Sequence, residues 1–267
     1  HAPGCPAAVH KIKDGIRRAE MNLTAAESYN ILAGVLCGKK PKNKAFEEAW
    51  KNVCFCHFHD SMDGCSIMEV YDDAEYMLGQ AKNTAAVEEN NALQTISWVI
   101  DTANMEKGLP VVVFNPNGFD VDELVQGNKQ YPLVYDEAGN PVTSQLVHST
   151  TLECYWRKDT LFKAHVPALG YAVYYLRNGD AEEGESAVSA TPWTGNMTAN
   201  EHGGTILEND IYRIRFELYS GYITSFVDKR TDKEIITGRA AVPTVIDEYY
   251  HDTWSHGKSF FTDEMAR

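Results

Sequence analysis

Hydrophobic positions change their period near residue 108. Before that point they repeat at helical spacing. Val9, Ile12, Ile16, Ala19, Leu23 and Ala26 fall three or four residues apart, a narrow seam suited to packing between helices. Gly38 and Pro41 predict the end of this helix. A second helix is predicted from about Asn43, with Phe46, Ala49, Trp50 and Val53 on one face, running into Cys54-Phe-Cys-His-Phe-His59. Asp60-Ser-Met-Asp-Gly64 reads as a break. Ser66 with Glu69 three residues on matches a capping box that opens a third helix, whose apolar side is Ile67, Val70, Tyr71, Ala74, Leu78 and Ala81. A further helical stretch is predicted over Val87–Met105. Three to four helices joined by short turns make a bundle over residues 1–107.

Beyond Gly108-Leu-Pro110 the pattern is that of strands. Val111–Phe114 is an apolar run stopped by the turn signal Asn115-Pro-Asn-Gly118. Leu133–Tyr135 and Pro141-Val142 flank Asp136-Glu-Ala-Gly-Asn140 as a hairpin. Leu161–Val166 and Tyr171–Leu176 follow around Pro167-Ala-Leu-Gly170. These make a small β-domain over 108–180. Residues 178–205 are rich in Gly, Glu, Ser, Ala and Thr, so 181–205 is assigned as linker or loop, Val188–Trp193 included. Ile211–Leu218 alternates cleanly and pairs with Tyr222–Val227 across Tyr219-Ser-Gly221, opening a large β-sandwich domain over 206–267. The fold class is therefore α+β and multidomain: a helical bundle followed by antiparallel β-domains of sandwich type.

Composition narrows the function classes. Across 267 residues, 43% are hydrophobic, enough for a packed core, and the net charge is −14 from 38 acidic and 24 basic side chains. That balance argues against a nucleic-acid partner, whose phosphates demand clustered Lys and Arg. A neutral sugar is indifferent to it. No apolar run approaches the ~18 residues of a membrane span, and His1-Ala-Pro-Gly-Cys5 lacks the basic head and apolar stretch of a secretory signal. Cys5, Cys37, Cys54, Cys56, Cys65 and Cys154 are sparse and irregularly spaced, which reads as free thiols in a reducing cytoplasm. The expected location is cytoplasmic and bacterial in type, with secretion left open. Asn-x-Thr sequons at Asn22 and Asn196 carry little weight.

Two clusters bear chemistry. The denser is Cys54, Cys56, His57, His59, Asp60, Asp63 and Cys65. It reads either as a helix end with buried thiols and a polar turn, or as one or two ligands to a metal site completed elsewhere. Its spacing is not that of a zinc ribbon. The second is Tyr249-Tyr-His-Asp-Thr-Trp-Ser-His-Gly257. Its aromatic faces suit sugar C–H surfaces, and His251, Asp252 and His256 suit hydroxyls. Aromatic side chains are also ordinary β-domain core.

Phe58-His59-Asp60, then Gly64, Ser66-Ile67, Glu69-Val70-Tyr71 and Asp73, resemble the middle-domain signature of the class II α-mannosidases, glycoside hydrolase family 38. Lys13, Arg17-Arg18-Ala19-Glu20 and Ala25-Ala26-Glu27 resemble the family's preceding helix. Val113-Phe-Asn-Pro116 and Val166-Pro-Ala-Leu-Gly-Tyr171 resemble its first β-domain. Leu207-Glu-Asn209, Gly221, Ile223-Thr-Ser225 and Asp228-Lys229 resemble the start of its large β-domain. His57 stands where the family usually has Gln, and Ser61-Met-Asp63 replaces Ile-Leu-Pro or Ala-Ile-Thr.

The resemblance implies retaining hydrolysis of α-mannosides by two carboxylates about 5–5.5 Å apart, assisted by one zinc per active site. It implies that His59 is a zinc ligand and that Asp60 lines the sugar pocket; Asp252, Trp254 and His256, in a stretch similar to one in some bacterial members, are expected to bind substrate on their residue types. Neither catalytic carboxylate is assigned within this chain. The resemblance places them in an α/β domain expected before His1, so that the chain alone is inactive and needs that domain as a partner. Homo-oligomers remain an open partner class. The alternatives are a mannosylglycerate-type hydrolase of the same family and a non-catalytic carbohydrate-binding or structural module.

Overall fold

The computed structural model describes residues 4–103, 108–149, 157–180, 188–194, 203–246, 254–256 and 264–266. It has the α+β composition read from the sequence: four helices, then antiparallel strands. Two units divide it, His1–Ala181 with Thr253–His256, and Glu182–Asp252 with Gly257–Arg267.

The helical seam builds the first core. Helix α1 (His10–Cys37) ends at Gly38, whose φ of 71° closes the last turn. It packs along α4 (Met68–Ser97), with α2 (Asn43–Cys56) laid against both. Ile12, Ile16, Leu23, Val53 and Leu78 are almost wholly buried where these helices meet. Small residues set the spacing: Ala19, Ala26, Ala74, Ala81 and Ala85 are buried in the same cluster, and a Cβ on Gly15 would lie 3.1 Å from Leu78 Cδ1. At this density even one added or removed methylene is felt. A buried polar lock holds the α1–α2 connection. Asn30 donates through Nδ2 to the carbonyls of Ala26 and Glu88, at 2.9 and 3.0 Å. Lys39 donates to Asn30 Oδ1, and Lys42 pairs with the buried Glu88 carboxylate at 2.8 Å.

Three details of the helical region differ from the sequence reading. The stretch from Val87 is the second half of α4, because no Gly or Pro interrupts residues 80–97 and Ala81, Ala85, Ala92 and Ile96 keep the seam in phase. This helix ends at Ser97, short of Met105, which lies outside the described residues. The Ser66–Glu69 capping box is not formed: Ile67 is the N-cap, and the Ser66 backbone N–H donates instead to the Tyr71 hydroxyl at 2.8 Å.

The rest of the first unit is a two-sheet sandwich. One sheet has the order β1 (Leu109–Phe114), β7 (Tyr171–Arg177), β3 (Leu133–Tyr135), β4 (Pro141–Val142). The other is β2 (Val121–Gly127), β6 (Lys158–Val166), β5 (Ser144–His148). Val134, Phe162, Ala164, Val166, Tyr174 and Leu176 fill the space between them. Asn115, 3% exposed, pins the corner where the chain passes from β6 to β7. Its Nδ2 donates to the carbonyls of Phe119, Val166 and Pro167, and its Oδ1 accepts from the Asn117 backbone at 2.9 Å.

In the second unit β8 (Ser189–Trp193), β9 (Gly204–Glu208), β10 (Tyr212–Glu217), β11 (Ile223–Asp228) and β12 (Lys233–Glu234) form a five-stranded meander. A two-stranded pair, β13 (Val245–Ile246) and β14 (Glu264–Ala266), stands beside it in the sequence. A Cβ at Gly204 would lie 1.9 Å from the Phe216 carbonyl, so no other residue fits there. Residues 189–193, expected as linker, form the edge strand β8. Four of its five residues are exposed, so no burial alternation marked it, and an edge tolerates Pro192.

Candidate functional site

The His59–Asp60 turn is built by the way α2 stops. Helix α2 ends at Cys56, Phe58 turns the backbone to φ −55°, ψ 135°, and a single short turn, α3 (His59–Asp63), follows. Gly64, at φ 82°, closes it, with the Cys65 backbone N–H donating to the Asp60 carbonyl at 3.2 Å. Only glycine adopts that backbone freely. The Lys13 ammonium of α1 donates to the carbonyls of Ala8 and Met62, tying α3 to the long helix.

The side chains then sort themselves. His59 points outward, 72% exposed, with Nε2 3.2 Å from Asp60 Oδ1 and its ring packed on Phe58 at 4.3 Å between centroids. The Cys65 sulfur lies 3.6 Å from the same Asp60 oxygen. His57 points elsewhere, its Nε2 3.2 Å from Glu20 of α1. Cys56 is buried with its thiol on the Ala74 carbonyl, and burial pushes it up from its ordinary pKa; Cys54 is exposed. Beside the turn lies a cavity of ≈ 440 Å³ lined by Phe55, Phe58, Asp60, Ser66, Asp73 and Met77 among others.

Part of the second cluster falls within the same unit as this turn. Residues 253–256 belong to the first unit. The Gly4 N–H donates to the Trp254 carbonyl at 3.2 Å, and the Trp254 Nε1 atom is buried. Ser255 is fully buried at φ 54°, a left-handed conformation costly for a residue with a side chain. His256 is exposed, its ring 5.2 Å from that of Trp254. Asp252 and His251 lie outside the described residues.

Among the described residues no group of three or more His, Cys, Asp or Glu side chains could hold a metal ion. An exposed imidazole with one nitrogen against a carboxylate does fit a single ligand, since metal-binding histidines are oriented by carboxylates in this way. The residues present fit one corner of a zinc site.

Residues 4–96 match the family model of the α-mannosidase middle domain. The chain is 30% identical over 132 residues to lysosomal α-mannosidase of Cavia porcellus, covering 43% of this chain and 13% of that protein. It is 25% identical over 182 residues to the Bos taurus protein of the same name, covering 62% and 16%. It thus spans about a sixth or less of these relatives' length. Among solved structures, a glycosyl hydrolase family 38 protein from Enterococcus faecalis superposes at a TM-score of 0.63 with 20% identity, over 88% of this chain and 31% of that one. An α-mannosidase from Enterococcus faecalis gives 0.61 with 22% identity, over 87% and 29%, a likeness of fold. The middle-domain match lies on the bundle that carries His59 and Asp60, and the chain is similar in sequence to lysosomal α-mannosidases and in fold to glycosyl hydrolase family 38 proteins.

Proposed function

We propose that this chain forms part of a zinc-dependent retaining α-mannosidase that hydrolyses terminal α-mannosides. The observation that carries the reading is the exposed His59 imidazole, held against Asp60 on the turn between α2 and α4 within the matched middle domain. In this reading His59 is one zinc ligand and Asp60 lines the sugar pocket, accepting a hydrogen bond from a mannose hydroxyl. Asp252, Trp254 and His256 belong to the substrate side. Bound zinc would supply Lewis-acid polarisation and a template for two sugar hydroxyls. The chain's own contribution is orientation. Asp60 sets the imidazole, Phe58 backs its ring, and the Lys13 tether fixes the turn on α1. The nucleophile and acid are assigned to an α/β domain outside this chain. We also read the small sandwich and the five-stranded sheet as the family's first and large β-domains, and the protein as cytoplasmic. Five described cysteines are free, and among the described residues no helix is long and apolar enough to cross a membrane.

The test uses the complete enzyme, with metal content and aryl α-mannosidase rate as readouts. His59→Ala should lower zinc occupancy and reduce turnover by about 100-fold or more, with helical circular dichroism unchanged because the ring is largely in solvent. His57→Ala should keep its zinc and most of its rate, since His57 engages Glu20 rather than the site. The chain alone should bind zinc weakly and hydrolyse nothing. Normal zinc and rate in His59→Ala, or zinc-dependent turnover by the isolated chain, would remove the reading.

A further inference from the structure

Three elements wall the cavity of ≈ 440 Å³ beside the His59–Asp60 turn: the end of α2, the short α3, and the first half of α4. Cys56 and Ala74 belong both to its lining and to the buried core of the bundle, so that side is fixed by packing. Phe55 and Phe58 line it too, yet they are 68% and 54% exposed and take no part in that core. Large rings left in water beside a concave surface mark a place where something binds. The charged groups of the lining are two carboxylates, Asp60 and Asp73, and among the described residues no Lys, Arg or His side chain lines it. Asp60 joins the cavity to the proposed site, since its Oδ1 is also the atom 3.2 Å from His59 Nε2. A sugar held at that pair has the cavity as its neighbouring space.

Resting on the α-mannosidase reading, we propose that this cavity receives the leaving-group side of the substrate, and that the group it takes is a neutral pyranose rather than an anion. Size permits it, because the volume falls within the about 300–1,000 Å³ of ordinary ligand pockets. Chemistry favours it on two counts. The electron-rich rings of Phe55 and Phe58 suit the C–H surfaces of a sugar ring. Carboxylates accept hydrogen bonds and cannot donate them, so Asp60 and Asp73 suit hydroxyls. An anion entering the same space would leave water to face two like charges with no cation in the wall to compensate it. The chain's net charge of −14 repels it further on approach. The two substrate classes open from the sequence differ in this respect. Mannosylglycerate carries a carboxylate on the group that leaves, and a mannosyl disaccharide carries only hydroxyls. The wall is built for the disaccharide, with Asp73 as the residue that sets the preference.

The test uses the complete enzyme and substrates that share the mannosyl unit and differ in what leaves. α-Mannosyl fluoride releases a single atom and does not fill the cavity. An α-linked mannobiose fills it with a neutral ring, and mannosylglycerate brings a carboxylate to it. The mannobiose should exceed mannosylglycerate in kcat/KM by about 100-fold or more. Phe55→Ala should lower kcat/KM for the mannobiose about tenfold relative to α-mannosyl fluoride. Asp73→Asn should raise kcat/KM for mannosylglycerate about tenfold relative to the fluoride. Mannosylglycerate cleaved as well as the mannobiose, or better, overturns the inference. So does an equal loss on mannobiose and fluoride in Phe55→Ala, the result expected if another protein surface covers the rings. In either case turnover of the fluoride by the parent leaves the α-mannosidase reading standing. A parent enzyme inactive on all of these substrates fails that reading, and the inference falls with it.

Discussion

At the scale of single residues, the side chains that matter most are those with more than one obligation. Asn115 shares two N–H bonds among three carbonyls and accepts two more bonds from Asn117, all at the corner joining the two sheets of the sandwich. Asn115→Asp keeps the shape and inverts the chemistry, setting carboxylate oxygens against the carbonyls of Phe119, Val166 and Pro167. It should destabilise the first unit by about 2–4 kcal/mol, read as a lower urea midpoint. A midpoint within error of the parent would mean that the corner is held by its backbone alone. His59 is the contrasting case. It has little to do with stability, because its ring is mostly in solvent, and its value lies in what it can reach. Both residues were recognisable in the sequence as types, Asn before Pro and His before Asp. His59 finds its partner in the neighbouring Asp60, but the Val166 and Pro167 carbonyls that Asn115 bonds were not legible, because a hydrogen bond across fifty residues leaves no local pattern.

At the scale of elements, the helices were the more legible half. The seam from Val9 to Ala26 is the buried face of α1 almost residue for residue, since a 3.6 period survives wherever one side of a helix is covered. The two predicted hairpins are present, as β3–β4 and β10–β11. What failed to show was set by exposure or by tertiary competition. Strand β8 is too exposed to alternate, and the Ser66 cap was displaced by the Tyr71 hydroxyl. The α1–α4 contact also carries an electrostatic cost. Burial raises the Glu89 carboxyl above its ordinary value, and after burial Glu89 is what raises the Tyr29 phenol opposite it. A carboxyl with a raised folded pKa favours folding while protonated, and that contribution is lost as pH rises through the folded value. Glu89→Gln should therefore raise the urea midpoint at pH 7 and leave it unchanged near pH 4. An equal gain at both pH values would trace the effect to packing rather than charge.

At the scale of the molecule, the landmarks by which the sequence resembles the α-mannosidases run through both units, while the helical turn and residues 254–256 both belong to the first. The chain covers 13–16% of its mammalian relatives, and on the proposed reading its part is to present His59 and Asp60 to the site. The corner at Asn115 has one more consequence, for how the protein ages. Asparagine loses ammonia when the next residue's backbone nitrogen attacks the side-chain carbonyl to close a succinimide. Asn115 and Asn140 are each followed by proline, whose nitrogen has no proton to give up, so the amides at the sandwich corner and at the β3–β4 turn are chemically shielded. Asn117 and Asn178, each followed by glycine, have no such protection. Peptide mapping after prolonged incubation at pH 8 should find isoaspartate at Asn117 and Asn178, and none at Asn115. Isoaspartate at Asn115 would contradict this. The amide whose conversion to Asp would do most harm is thus the one that time is least able to convert.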